Sequence, residues 1–223
     1  MKILAIDTTR DFGSLALVEN GEPIEEVLLH SPDGFSPILF DRIGRLLASH
    51  STAPADIACF AAASGPGSFT GVRVGLAAAK GLAEATGKPV VAVSNLQALA
   101  WFGSAPLRAT VLDARRGEIY GAVFDAALAE VEPERVCRFP EWLAQLPGAV
   151  GEFIALEFGP FRAALEGSRF GAARLVEAPR ALAAAVGRIA WERLEAGTAA
   201  DPAAIDANYV RRSDAELFWK DEG

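Results

Sequence analysis

The chain has 223 residues, 51% of them hydrophobic, and its 29 acidic and 21 basic side chains give a formal charge of −8. That length buries one large core or two small ones. The charge excludes a protein that grips RNA through its own phosphate contacts, which need an excess of cations. Cys59 and Cys137 are too few for a disulfide framework and are not spaced as metal ligands.

Only four apolar residues, Ile3 to Ile6, precede the carboxylate of Asp7, fewer than a secretory signal needs. The most apolar run, Ile57 to Ser64, is too short to span a bilayer. A cytoplasmic protein with no membrane contact is expected.

In chain order, Lys2–Thr8 and Ser14–Glu19 read as strands. Asn20-Gly21 then forms a hairpin turn, because both residues tolerate positive φ, and Glu22–His30 returns. Pro32, Gly34 and Pro37 mark a loop. Ile38, Leu39, Ile43, Leu46 and Leu47 recur at helical spacing over Pro37–Ser49. Ile57–Ala63 is a short buried strand, and the Gly-rich turn after it opens a helix over Thr70–Ala85, closed by Gly87 and Pro89. Val90–Val93 is a strand, and Ser94 caps a helix holding Leu96, Leu99 and Trp101. The order is βββαβαβα.

The same order then restarts. Ala109–Asp113, Glu118–Phe124 and Glu134–Phe139 read as strands. Helices over Pro140–Leu146 and Pro160–Leu165 flank a strand at Phe153–Phe158. Arg174–Glu177 is a further strand, Arg180–Glu195 a long helix, and Asp201–Gly223 a polar tail. Each repeat opens on strand, Asp and polar turn: Ile6-Asp7-Thr8-Thr9 and Leu112-Asp113-Ala114-Arg115. The pattern predicts an α/β protein of two related three-layer halves, 1–103 and 104–223.

Three groups of residues are candidates for chemistry. Gly65-Pro66-Gly67-Ser68-Phe69-Thr70-Gly71 opens a helix, where free N–H groups and the helix dipole favour an anion. It fits neither the Walker P-loop nor the dinucleotide fingerprint, so a tight structural turn and a phosphate cradle both remain open. Gly71, Gly75 and Ala79 then fall four apart on one helix face beside Ala78 and Leu82. Glycine inside a helix costs roughly 1 kcal/mol relative to Ala, which close approach of another element offsets; that element lies in this chain or in a partner. Asp7, Thr8 and Thr9 could hold phosphate or Mg²⁺, or simply turn the chain. Asp113 and Glu118 fit an acid pair or a β-turn equally. His30 and His50 fit no zinc motif, and no Gly-x-Ser-x-Gly elbow is present.

Together, Met1-Lys2-Ile3-Leu4-Ala5-Ile6-Asp7-Thr8-Thr9, Gly65 to Gly75, Asp113-Ala114-Arg115-Arg116-Gly117-Glu118-Ile119-Tyr120 and Tyr209-Val210-Arg211 resemble the bacterial TsaB (YeaZ) family. The resemblance implies duplicated RNase-H-like halves of the actin, sugar-kinase and Hsp70 superfold. It implies a non-catalytic scaffold that binds TsaD, the subunit transferring a threonylcarbamoyl group to N6 of adenosine 37 in tRNAs reading codons that start with A. TsaE completes the set, tRNA is met only through the complex, and the chain alone forms a homodimer. Placed on the helices 37–49 and 70–85, the partner interface comprises Phe69, Gly71, Arg73, Val74, Gly75, Ala78, Ala79, Leu82, Leu39 and Ile43. No cofactor is expected to bind tightly. ATP or ADP is placed at the partner boundary, with Asp7, Thr8 and Thr9 as its contacts. The alternative is an independent ATP-dependent phosphotransferase of the same superfold. A protease is a further rival, disfavoured by the missing metal triad and nucleophile.

Overall fold

The computed structural model describes residues 1–208 and residue 210. Tyr209 and Arg211 of the resemblance, and most of the polar tail, lie outside the described residues. The first repeat is β1 (Lys2–Asp7), β2 (Phe12–Glu19), β3 (Glu22–His30), α1 (Leu39–Ser49), β4 (Ile57–Ala63), α2 (Phe69–Thr86), β5 (Val90–Val93) and α3 (Asn95–Ala100). The second is β6 (Leu107–Arg115), β7 (Glu118–Asp125), β8 (Glu130–Arg138), α4 (Phe139–Gln145), β9 (Glu152–Ala155), α5 (Arg162–Glu166), β10 (Arg174–Glu177) and α6 (Ala183–Glu195).

Both repeats form a five-stranded mixed sheet of one topology, β3-β2-β1-β4-β5 and β8-β7-β6-β9-β10. Within each, the first two pairings are antiparallel and the last two parallel. The central β1 and β4 are buried almost end to end. A strand covered on both faces reads as a continuous apolar run rather than an alternation.

Several boundaries differ from the sequence reading, and for β8, α2 and α6 an edge position or a local hydrogen bond gives the reason. β8 starts at Glu130, running through Pro133, because it is an edge strand and a missing N–H is tolerated there. Helix α2 starts at Phe69, since the Ser68 hydroxyl accepts from the Gly71 amide; it ends at Thr86, capped by Gly87, where φ is +65°. Helix α6 starts at Ala183 instead of Arg180. The buried Ser14 Oγ of β2 accepts from the amides of Leu182 (3.1 Å) and Ala183 (2.9 Å), and Glu26 Oε1 of β3 accepts from Ala184 N (2.8 Å). A helix of the second repeat is thus capped by the first sheet. Burial and, to a smaller extent, the charge of Asp7 raise the Glu26 pKa, against the pull of the Ala184 amide.

The core has three layers. One cluster packs α1 and α2 on the outer face of the first sheet. Another, rich in aromatics, lies on the outer face of the second. The middle cluster belongs to both sheets: Ile3, Ala5 and Val18 of the first meet Leu112, Phe124 and Ile154 of the second through α3 and α6. Each repeat sends its last helix across, α3 onto β6, β7 and β9, and α6 onto β1, β2 and β4. The division at residue 103 therefore separates the sheets but not the packing.

Ser14→Ala leaves two buried helix amides without their acceptor, a loss of about 1–3 kcal/mol. A thermal melt should show a midpoint several degrees lower; an unchanged midpoint means water caps α6 equally well.

Candidate functional site

The C-terminal end of β1 is a crowded node. Asp7, Thr8 and Thr9 are all buried. Asp7 Oδ1 accepts from Thr9 N (2.9 Å) and Thr9 Oγ1 (2.6 Å), and its Oδ2 meets Arg10 Nη2 at 3.3 Å. Asn95 Nδ2 donates to Thr9 Oγ1 (2.8 Å), while Thr8 Oγ1 donates to the Gly71 carbonyl at 2.7 Å. All three side chains expected to hold phosphate make hydrogen bonds within the fold, and Thr9 also lines the cleft between the sheets.

Glycines line this node because nothing larger fits. A Cβ on Gly13 would lie 2.6 Å from the Asp7 carbonyl, and one on Gly75 2.6 Å from Thr8 Oγ1. Cβ atoms on Gly67 and Gly71 would overlap the carbonyls of Thr9 and Thr8. The row Gly71–Gly75–Ala79 thus faces β1 of its own chain and not a partner. Leu39, Ile43, Ala78 and Ala79 are likewise buried in the outer core of the first sheet. This corrects the expected interface for six of its residues, whose burial within the chain leaves no surface to offer.

The others do reach the surface. Phe69 and Arg73 are exposed, with the guanidinium 3.6 Å from the ring centroid, and Val74 and Leu82 are half-buried. Beside them lie residues the sequence reading missed. Phe40 on α1 is 60% exposed, and Ala77 and Gly81 continue the Arg73 row on the outer face of α2. No atom lies within 4 Å of where a Gly81 Cβ would sit, beyond the helix itself. The missed signal was a second row of small residues on the same helix.

Between the sheets runs a cleft of about 630 Å³, with Arg10 and Phe12 on one wall, Asp113, Arg115 and Tyr120 on the other, and Arg180 at the joint. Arg10 Nη2 also donates to the Arg180 carbonyl (3.2 Å), and the Arg180 guanidinium lies 4.5 Å from the centroid of the Phe12 ring. Asp113 occupies the position matching Asp7 but is exposed, and its Oδ1 accepts from Arg115 N at 2.8 Å. That bond shapes a turn in which Arg115, Arg116 and Gly117 all take positive φ. The residues proposed as an acid pair, Asp113 and Glu118, flank this turn. Cys59 is buried and its thiol pushed up to about 12, while Cys137 is half-buried on β8. Among the described residues, no three His, Cys, Asp or Glu side chains converge on a metal-sized site.

Two sheets of one topology sharing a helical middle layer around a cleft define the actin, sugar-kinase and Hsp70 superfold. YeaZ from Pseudomonas aeruginosa has this fold, with a TM-score of 0.75 and 24% identity over 93% of this chain and 99% of that one. A family model described as TsaD: tRNA N6-adenosine threonylcarbamoyltransferase matches residues 34–215. The chain belongs to that family, on its TsaB (YeaZ) side. Its relatives include the tRNA threonylcarbamoyladenosine biosynthesis protein TsaB of Bacillus subtilis, 34% identical over 151 residues, covering 66% of each chain. The Escherichia coli protein of the same name is 36% identical over 128 residues, covering 56% of this chain and 55% of its own length. Aligned regions thus span between half and two thirds of these curated relatives. Among the described residues no helix is long and apolar enough to cross a membrane.

Proposed function

We propose that the chain is a non-catalytic scaffold for a TsaD-type transferase in tRNA threonylcarbamoyladenosine synthesis, acting in the cytoplasm. One observation supports this reading: the side chains of Asp7, Thr8 and Thr9, where a phosphotransferase of this superfold would hold phosphate, are buried and already hydrogen-bonded inside the protein. The names of the relatives supply the pathway. TsaD is the partner, TsaE completes the set, and the same face closes a homodimer when TsaD is absent. tRNA, which an acidic chain repels, is met through the complex, where adenosine 37 is the acceptor. Where ATP or ADP enters at the partner boundary, its phosphates meet Arg10, Arg115 and Arg180 of the cleft rather than the buried node.

The partner face on this reading is the outer side of α2 with the edge of α1: Phe40, Phe69, Arg73, Ala77 and Gly81, flanked by Val74 and Leu82. It places exposed aromatics and an arginine, the residue types that dominate interface energies, beside small residues that admit a close helix. Phe69→Ser and Ala77→Arg should each weaken binding to TsaD by about 30-fold or more, the loss expected of a central contact. Their melting midpoints should stay within a degree or two of the parent. Affinity by calorimetry decides it, and unchanged binding in both variants places the partner elsewhere.

A further inference from the structure

Around Ser64 and Gly65, just ahead of α2, segments from distant parts of the sequence are tied together. After α6 the chain returns to the first sheet, where Ala200 pairs with Val90 through two hydrogen bonds of 3.0 Å. Ile205 is buried in the outer core beneath α2. Asn208 N then donates to the Ser64 carbonyl at 2.8 Å. On its other side, Gly65 is gripped by Asn95, whose Oδ1 accepts from Gly65 N (3.0 Å) and whose backbone N–H donates to the Gly65 carbonyl (2.8 Å). The loop that starts α2 is clamped between two asparagines.

The Asn208 clamp is fastened from the opposite sheet. Asn208 Nδ2 donates to Glu134 Oε2 of β8 at 2.6 Å, and the other oxygen of that carboxylate accepts from the hydroxyl of Ser94, the cap of α3. Glu134 is half-buried, and a carboxylate withdrawn from water in this way is stabilised by the donors that stay in place. Burial raises the Glu134 pKa, and the bonds from Ser94 and Asn208 draw it back.

We propose that residues 200–208 form a strap and that Glu134 is its latch. Through Asn208, the second sheet fixes the loop from which α2 begins, and release of that contact loosens the first turn of α2. The consequence for partner binding rests on the face proposed above. The strap itself does not, and its test uses the full chain without partner.

Asn208→Asp sets a second carboxylate against Glu134. Backbone amides over 64–72 and 200–208 should then exchange with deuterium roughly tenfold faster or more, as expected for opening of a local unit, while those of β6 and β7 keep their protection. Combining Asn208→Asp with Glu134→Gln restores a donor facing an acceptor, with the amide oxygen still open to Ser94, and should return exchange to the parental rate. The proposal is overturned if Asn208→Asp leaves exchange over 64–72 unchanged, or if the double variant stays as exposed as the single one. TsaD affinity of the same variants reads the other proposal. If exchange responds as stated and affinity does not, the strap stands and its link to partner binding falls.

Discussion

Gly75→Leu should lower the thermal midpoint by about 2–12 °C, and any loss of partner binding should follow from the loss of fold. At this position a Cβ would sit 2.6 Å from Thr8 Oγ1 and 3.7 Å from Ile6 Cγ2, and Leu adds three more carbons in the same direction. Overpacking costs about 1–3 kcal/mol and occasionally more. Displacing Thr8 also breaks its bond to the Gly71 carbonyl, worth roughly another 1 kcal/mol. Against this stands about 1 kcal/mol gained by replacing Gly inside a helix. The net loss of about 1–3 kcal/mol converts to the stated shift at about 2–4 °C per kcal/mol for a chain of this size. Gly81→Ala on the outer face is the control. It meets nothing, so the propensity gain survives and the midpoint should rise slightly. If Gly75→Leu instead melts like the parent while binding weakens, the small-residue row faces outward after all.

The same helix shows how far a sequence can be read. Its existence and its end ahead of Gly87 followed from local chemistry, whereas the Ser68 cap that starts it at Phe69 was not read. Its orientation did not follow. Gly71–Gly75–Ala79 on one face and Ala77–Gly81 on another both place small residues at a spacing of four, so small-residue spacing alone does not tell which face is buried. What decides is the end of β1, sixty residues away, whose carbonyls and Thr8 hydroxyl leave no volume for a side chain. Likewise, Asp7-Thr8-Thr9 was visible as a polar turn. Its hydrogen bonds to Asn95 and Gly71 are long-range, and only they show that these side chains are already occupied. The topology was legible because the repeat is local, down to Ile57–Ala63 and Val90–Val93 at their observed bounds. The exchange of α3 and α6 between sheets was not, since no segment carries a signal for which sheet covers it.

That exchange sets the last expected result. Trp142 is 1% exposed at the centre of the outer layer of the second sheet, tilted on Phe139 at 6.1 Å and edge-on to Phe153 at 6.4 Å. Trp142→Ala removes that ring from a closely packed site, where such truncations cost about 3–5 kcal/mol. Were the halves energetically separate, the second would melt early and leave the first intact, giving two transitions. The middle layer argues against it. Val186 and Ile189 of α6 and Leu96 and Leu99 of α3 sit in one cluster with residues of both sheets, and α6 is capped by Ser14 and Glu26. Unfolding the second sheet strips α3 of its cover and takes from the first sheet the helix packed on β1, β2 and β4. The variant should therefore melt in one step, about 6–20 °C below the parent at the same conversion of about 2–4 °C per kcal/mol. Hydrogen exchange near that midpoint should show amides of β1 and β4 opening together with those of β6 and β9. Protection persisting in β1 and β4 after β6 and β9 have exchanged would show that the shared layer joins the halves without coupling their stability.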